Sequence, residues 1–540
     1  MGKQTRVTNI KNLYRKYSHI FEFLIIFAEI TLLWAVITAQ VISFNRFFGN
    51  ELDVLPFARQ FFNHSWLPND WYLNLDIGYR QIFSYIQGFL VDWLGFLNGA
   101  YVGRLVAYWF LAFALIVFFR AIGLRFFLGL IVVIFFVQNQ SLIAGEWIVG
   151  GVDPKTVAYG FGLMAFALFH KKKYLIGFAL AGAALSFHVL VGIYALYCVI
   201  LATVITERPL NQVISSLFRK SWPFLITGIF GILAIFQAII PQDRIDANKA
   251  WKIYVELRVP HHVLPSAWQG NEWISILVLA TCFFLIVFFS IRNDSTKFTT
   301  AYALASISLF VIGLTIFALD QPSLLRFYWF RYPDVMVPFL GMVTIALLLN
   351  GIANLNFADY PKIPKELNRI QGILKYGLPA LFAIYALFLV SESRTYVQGK
   401  YRRGLNRDIT KTQVVLEWIS ENTPEEAVFL IDPLLNEFYV YANRARFVSF
   451  SHPPQSASEI LEWYRRLTLI NGNQELSIPP DKGQMQENYA NLDAKTIQQL
   501  ADEYGVSFYL GSAEKQLPFT LYYQDDTFTL YQVDMPEASD

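Results

Sequence analysis

The chain has 540 residues, of which 55% are hydrophobic, 17% aromatic and only 16% charged. A soluble chain carries about 25% charge, so this is the balance of a polytopic membrane protein. The formal net charge is +2, from 43 basic and 41 acidic residues, which gives no reason to expect nucleic acid as a partner. Cys198 and Cys282 both sit inside apolar runs, which excludes a disulfide framework and a thiolate metal site.

A hydrocarbon core of about 30 Å needs roughly 20 apolar residues per helix, and such runs recur between Ile20 and Val390. About eleven transmembrane helices are expected, near residues 20–44, 101–119, 125–138, 156–169, 174–188, 190–205, 222–240, 272–291, 298–319, 335–350 and 377–390. The first run follows a basic tail and is long, with bulky residues at its end, and reads as an uncleaved anchor. Lys3, Arg6, Lys11, Arg15 and Lys16 precede it. Alternate short loops then carry Arg120 with Arg125, Lys171 to Lys173, Arg208 with Arg219 and Lys220, Arg292 with Lys297, and Lys362 to Lys375. By the positive-inside rule these are cytoplasmic, as is the N-terminus. The intervening loops, 45–100, 139–155, 242–271 and 320–334, hold most of the ionisable groups and face outward.

The first outer loop is too rich in Trp, Tyr and Phe for a free loop. Leu55–Asn63 and Tyr79–Leu97 are expected to be helices lying along the membrane surface, on either side of Leu67-Pro-Asn-Asp-Trp-Tyr-Leu73. From about residue 394 a basic run leads into a stretch of ordinary soluble composition, which divides the chain into a transmembrane domain, 1–393, and an extracytoplasmic α/β domain, 394–540. In that tail Thr412–Asn422 reads as an amphipathic helix ending at Asn422-Thr423-Pro424. Ala427–Ile431, Phe447–Phe450, Val506–Leu510 and Phe528–Val533 read as strands, separated by helical stretches around Ser456–Leu467 and Ala494–Tyr504.

A cytoplasmic N-terminus, a long first external loop with interfacial helices and an acidic residue, and a soluble domain after the last span together resemble the GT-C superfamily of membrane glycosyltransferases. Shorter segments are similar to an uncharacterised bacterial membrane family with this layout. They are Pro68-Asn69-Asp70-Trp71-Tyr72, the run Gly150 to Tyr159, Phe187-His188-Val189-Leu190-Val191-Gly192, Arg258-Val259-Pro260-His261-His262, and Trp418 followed by Asn422-Thr423-Pro424. The resemblance implies a GT-C-like helical fold in a bacterial inner membrane. It also implies a glycosyltransferase that takes a sugar from a polyprenyl-phosphate-linked donor and gives it to an extracytoplasmic acceptor. The chain departs from protein mannosyltransferases in lacking an Asp-Glu pair directly after the first span, which leaves the acceptor class and any use of a divalent cation, Mg²⁺ or Mn²⁺, open.

Under the resemblance, Asp70 occupies the loop of the catalytic carboxylate and is the expected general base, with Asp53 and Asp76 as alternatives. The same Pro-Asn-Asp is also good turn chemistry, in which Asp70 would cap the segment after it. Glu146 and Asp153 flank a Gly-Gly pair and either line a polar cavity with Lys155 or, for Asp153-Pro154, cap the next helix. His188, at the end of an apolar run, is either a ligand for phosphate or sugar or a structural group. Arg258, His261 and His262 are candidates for donor phosphate or acceptor, since neighbouring histidines on an extended loop point apart and make a poor metal pair. Arg326 and Arg331 offer planar forks suited to phosphate oxygens, or else anchor helices at the interface. No Walker loop, dinucleotide fingerprint, HExxH or nucleophile motif is present. The competing reading is a non-catalytic membrane protein, a lipid or polysaccharide translocator, or an assembly factor. A translocator would place polar breaks at the midplane of its spans.

Overall fold

The computed structural model describes residues 2–41, 47–75, 79–239, 247–268, 270–289, 294–354 and 410–533, with 372, 373 and 377 as isolated positions. The expected span 377–390, the domain boundary at 393/394 and Asp76 lie outside the described residues.

The helical body begins with α1 (Gly2–Val41), α2 (Glu51–Phe62), α3 (Gln81–Leu94), α4 (Phe96–Ile122), α5 (Phe126–Gln138) and α6 (Pro154–His170). It continues with α7 (Tyr174–Phe187), α8 (Val189–Thr206), α9 (Leu210–Lys220), α10 (Trp222–Thr227), α11 (Ile229–Ile239) and α12 (Ala247–Ile253). A π-helical turn, Tyr254–Arg258, leads into α13 (Pro260–Val263), and α14 (Gly270–Phe289), α15 (Asp294–Ala318), α16 (Pro322–Leu325) and α17 (Arg331–Asn354) complete it. Among the described residues, five helices are long and apolar enough to cross a membrane, in α1, α4, α8, α15 and α17. Each expected run up to 335–350 falls on a helix, but several are too short to span alone, which is where the expectation of about eleven spans departs from the structure.

The run at 222–240 is the clearest departure, because the chain bends by 78° between Leu210–Thr227 and Ile229–Gln237. At the bend, Thr227 donates from Oγ1 to the Ala179 carbonyl on α7, and its own carbonyl accepts from Ser186 Oγ. Gly182 lets α7 approach so closely that an added Cβ would lie 2.2 Å from Thr227 Oγ1. Side-chain insertion of this kind is a recognised cause of helix kinks. The two surface helices of the first outer loop are present as α2 and α3. They pack backbone to backbone at Gly88, where a Cβ would meet the Ala58 carbonyl at 2.1 Å. The outer side of α3 exposes Tyr85, Phe89 and Trp93, which suits a headgroup layer.

The C-terminal region is an α/β unit: α18 (Lys411–Asn422), β1 (Val428–Leu430), α19 (Phe438–Ala442), β2 (Ala445–Arg446), α20 (Ala457–Ile470), α21 (Lys482–Ala490), α22 (Ala494–Tyr504), β3 (Val506–Ser512), β4 (Thr520–Gln524) and β5 (Phe528–Gln532). The sheet order is β2-β1-β3-β5-β4, with β1 parallel to both its neighbours and β5 antiparallel to both of its own. Thr410, Ser456, Asp481 and Asp493 cap four of the helices through their side chains. The expected strand at Phe447–Phe450 is not one. The pairing ends at Arg446, and the chain continues as an extended strap whose Ser449 carbonyl accepts from buried Trp463 Nε1.

This unit is fastened to one end of the helical body. Asn69 donates to the Glu426 carbonyl, Arg59 to Asn443 and Arg258 to the Ser451 carbonyl. One buried apolar cluster joins Tyr254, Leu257 and Val263 to Trp463, Tyr489 and Tyr509, so the interface is continuous with the core of the C-terminal unit.

Candidate active site

The loops expected on the outer side converge at one end of the helical body, and buried carboxylates hold them there. Glu51, at the start of α2, is fully buried. It pairs with both the Nε (2.7 Å) and a terminal nitrogen of Arg104 on α4, and accepts from the backbone N–H of Phe48 (2.9 Å) and Val152 (2.6 Å). It therefore ties three segments together. Next to it, Asp153 accepts from the Lys155 N–H at 3.0 Å as the cap of α6, with Pro154 in the first turn, and from Asn50 Nδ2 at 3.0 Å. The capping and site roles expected of Asp153 thus share one side chain.

Asp334 on α17 organises the loop before Asp153. Its carboxylate accepts from the N–H groups of Ile143 (2.9 Å), Ala144 (3.1 Å) and Glu146 (3.3 Å). That places buried Glu146 between Lys155 Nζ (3.4 Å) and Arg331 Nε (3.6 Å). Lys155 Nζ also lies 3.8 Å from the centre of the Trp147 ring. Gly145 has φ +66°, and an added Cβ would sit 2.7 Å from His262 Cε1, so both conformation and space require glycine here. His262 Nδ1 and the Ala144 carbonyl are 2.7 Å apart.

Asp70, the base expected from the sequence, is held in a fully engaged setting. Asp70 is 1% exposed. Its Oδ1 accepts from the Leu73 N–H at 2.8 Å and its Oδ2 from the Arg446 N–H at 2.9 Å. Burial raises its pKa, against the pull of those two bonds and of neighbouring Tyr439. Both oxygens are engaged and water is excluded, which is the placement of an anchor between the first outer loop and the C-terminal unit. Asp53, one helical turn into α2, is half-buried instead, and only its Oδ1 is engaged, by the Tyr72 hydroxyl at 2.7 Å. Arg80 lies in the fields of both Asp53 and Asp153; its left-handed φ of 68° is unusual for a non-glycine residue.

The other expected residues divide. His188 caps α8, accepting from the Val191 N–H at 3.3 Å, while sensing the charges of Asp153, Arg80, Lys155 and Arg331. Arg258 donates to the Ser451 carbonyl, and its Nε is buried with no hydrogen-bond partner; Arg331 Nε is likewise buried without one. The His261 and His262 rings lie 3.8 Å apart. Burial, followed by Arg258, Arg331 and Lys482, pushes the His261 pKa down to about 4, and burial with Arg331 lowers His262 well below its ordinary value. Both are neutral at pH 7. Arg326 does not join them: it stacks 3.6 Å from the Trp251 ring, donates to the Ser323 carbonyl, and its pKa is lowered by burial. Between the two arginines Tyr328 adopts φ 56°, and its hydroxyl meets that of Tyr254 at 2.7 Å.

No group of three metal-donor side chains assembles among the described residues, and no step below is routed through a cation. Sequence reasoning did not single out Glu51, Arg104, Asp334, Arg80, Tyr72 or His452. An Arg inside the apolar run of α4 and an Asp inside that of α17 were the available signals, because ionisable groups at such positions are paired or functional.

Residues 410–470 match a family model described as a domain of unknown function, DUF6798. No curated protein matches the chain. The chain is similar to the structure of ArnT from Cupriavidus metallidurans bound to undecaprenyl phosphate, with 12% identity over 94% of this chain and 97% of that one and a TM-score of 0.48. The apo state of the same protein gives 12% identity, 95% and 98% coverage and a TM-score of 0.49. The archaeal oligosaccharyltransferase AglB from Archaeoglobus fulgidus, in complex with an inhibitory peptide and a dolichol-phosphate, gives 9% identity, 93% and 70% coverage and a TM-score of 0.43.

Proposed function

We propose that this chain is a membrane glycosyltransferase that moves a sugar from a polyprenyl-phosphate-linked donor to a hydroxyl acceptor on the extracytoplasmic side, with a cytoplasmic N-terminus and an extracytoplasmic C-terminal unit. One observation carries the reading. At the end of the helical body where the outer loops gather, a half-buried carboxylate with one unengaged oxygen, Asp53, acts on His452 together with Arg258 and on Arg80, and Arg80 and Arg331 both act on His188; the Nε atoms of Arg258 and Arg331 are buried and have no hydrogen-bond partner. A buried donor left unsatisfied is costly, and a phosphate oxygen is the acceptor that a planar guanidinium suits. The carrier class follows the resemblance drawn from the sequence.

In the proposed step the acceptor hydroxyl gives its proton to Asp53 Oδ2 while its oxygen bonds to the anomeric carbon. The bond from that carbon to the phosphate oxygen breaks, and its electron pair leaves on the polyprenyl phosphate. Arg258 and Arg331 meet the charge that develops there. Tyr72 holds the other carboxylate oxygen, so the base faces the acceptor in one orientation. Glu146 holds Arg331 against Lys155, and neutral His261 and His262 offer hydrogen bonds to phosphate or sugar without adding charge.

The test is transfer from a panel of radiolabelled polyprenyl-phosphate sugars by the purified full chain. Asp53→Asn is expected to lose turnover by about 100-fold or more and to retain donor binding. A folded wild type that neither binds nor turns over any donor would overturn the proposal.

A further inference from the structure

The C-terminal unit places one histidine against the candidate base. His452, at the end of the strap after β2, is 2% exposed. Its ring is stacked between two tyrosines, with centroids 5.8 Å from Tyr72 at 20° and 6.1 Å from Tyr439 at 22°. Tyr72 is the residue whose hydroxyl holds Asp53. The histidine therefore stands one aromatic ring away from the carboxylate, and Asp53 is the charge that acts on it most strongly. Its Nδ1 is buried and has no hydrogen-bond partner. Other buried polar groups at this junction are closely paired: Asp70 with two N–H groups, and Arg446 with the Leu435 carbonyl at 2.9 Å. A lone unpaired ring nitrogen in such a setting is conspicuous, because an orphaned buried polar atom carries a desolvation cost that a structural role leaves uncompensated.

We infer that His452 is an acceptor-binding residue of the Asp53 site, its Nδ1 forming a hydrogen bond with a hydroxyl of the acceptor, so that the C-terminal unit completes the site formed by the first outer loop. The inference rests on the glycosyl-transfer reading and names the side of the reaction that the C-terminal unit serves. Geometry supports the assignment to the acceptor. His452 lies with Asp53 and Tyr72, and Arg258, which donates to the neighbouring Ser451 carbonyl, stands between it and Arg331, which sits with Glu146, Lys155 and the His261-His262 pair. The ring is neutral, so it forms a directional hydrogen bond to a hydroxyl without competing with the arginines for phosphate. The strap that presents it lies within residues 410–470, the segment matched by the family model.

The experiment uses the full chain in nanodiscs, with His452→Ala and His452→Gln beside the wild type, the panel of labelled polyprenyl-phosphate sugars, and a panel of free monosaccharides and polyols as acceptors. Release of sugar to water is measured separately from transfer to the added acceptor. His452→Ala is expected to raise the acceptor KM about 10-fold with donor hydrolysis unchanged, and His452→Gln, which keeps a hydrogen-bonding group, is expected to recover part of it. An acceptor KM unchanged in both variants overturns the inference and leaves the transferase reading standing. Loss of hydrolysis and transfer together, equal in Ala and Gln, also overturns it, because that is the signature of lost structure. A wild type that releases sugar from no donor removes the transferase reading. His452 is then judged by carbethoxylation read by mass spectrometry, with exposed His261 as the internal control. Slow modification of His452 that a member of the acceptor panel suppresses supports hydroxyl binding at this residue. No modification while His261 reacts fully, or modification that no acceptor suppresses, overturns it.

Discussion

Exchanging Asp70 and Asp53 for asparagine, one at a time, separates an anchor from a reagent. Asp70 accepts two backbone N–H groups, from Leu73 at 2.8 Å and Arg446 at 2.9 Å, in a fully buried setting. A hydrogen bond to a charged group contributes about 1.5–3 kcal/mol. Asp70→Asn keeps one acceptor oxygen and turns an NH₂ toward the second N–H, which removes one such bond. Against this, the ionised carboxylate carries a desolvation cost, visible in its raised pKa, that the amide lacks. The net loss is about 1–2 kcal/mol, and a shift of about 4–8 °C in the melting of the C-terminal unit follows. Asp70→Ala orphans both N–H groups and costs about 2–5 kcal/mol. The assay is thermal melting followed by tryptophan fluorescence, with limited proteolysis to report undocking and turnover normalised to folded protein. Asp70→Asn is expected to melt early and retain most of its turnover per folded molecule, whereas Asp53→Asn melts like wild type and loses turnover. The opposite pattern, wild-type melting and a 100-fold loss of turnover in Asp70→Asn, would refute the argument and return Asp70 to the role of base.

Arg104→Ala leaves the Glu51 carboxylate buried without its ion pair, at a cost of about 3–5 kcal/mol, and a markedly lower yield of monodisperse protein by size exclusion is expected. Arg331→Ala removes one of the two guanidiniums whose Nε lacks a hydrogen-bond partner and is expected to weaken donor binding about 10–100-fold and to lower kcat as well, measured as KM and kcat separately. Gly145→Ala forces both a left-handed φ and a clash with His262, and is expected to cost about 1–3 kcal/mol and to weaken donor binding by displacing the histidine. For pH, burial lowers His452 from 6.5 to about 4, so its neutral form is favoured on folding. The stability this gives is fully present above pH 6.5 and is lost as pH falls toward 4, up to about 3 kcal/mol. The raised pKa of Asp70 acts with the opposite sign, adding stability on acidification, and the lowered His261 and His262 act in the same sense as His452, so His452→Gln is expected to reduce, not abolish, the acid-induced loss between pH 6.5 and 4. An unchanged pH profile of proteolysis in that variant would count against a buried neutral histidine.

Apolar runs are legible because they are long and local, and each one that falls on described residues is helical. What the runs do not carry is continuity: at the 78° bend Thr227 pairs with Ala179 and Ser186 on another helix, and no local pattern announces it. In the C-terminal region α22 begins and ends where its Asp493 cap and Gly505 place it, whereas β4, with its exposed Leu521 and Tyr522, has the look of an irregular polar segment and pairs only because β5 lies beside it. The site shows the same division. For Asp70 a turn and a general base use the same residue type in the same kind of loop, and the partner that engages its second oxygen, Arg446, lies 376 positions away. His452 gave no signal at all, since it stands in an ordinary His-Pro-Pro stretch and acquires its meaning only from Tyr72 and Tyr439.

The carboxylates at this end of the molecule sort by how completely they are satisfied. Glu51 takes two nitrogens of Arg104 and two backbone N–H groups. Asp334 takes three N–H groups, and Asp70 and Asp153 two donors each. These four fix where the loops run, and in each of them both oxygens already accept a hydrogen bond inside the protein. Asp53 keeps one oxygen unengaged, and it sits where the anchored segments meet, held in orientation by Tyr72 alone. A reacting group must be held within a fraction of an ångström of its partner, yet it must itself remain unsatisfied, and the two demands conflict in a single side chain. On the proposed reading the conflict is resolved by division of labour: the fully engaged acids Glu51, Asp70, Asp153 and Asp334 set the geometry, and the incompletely satisfied groups near them, Asp53, Arg258, Arg331 and His452, keep bonding capacity for a substrate.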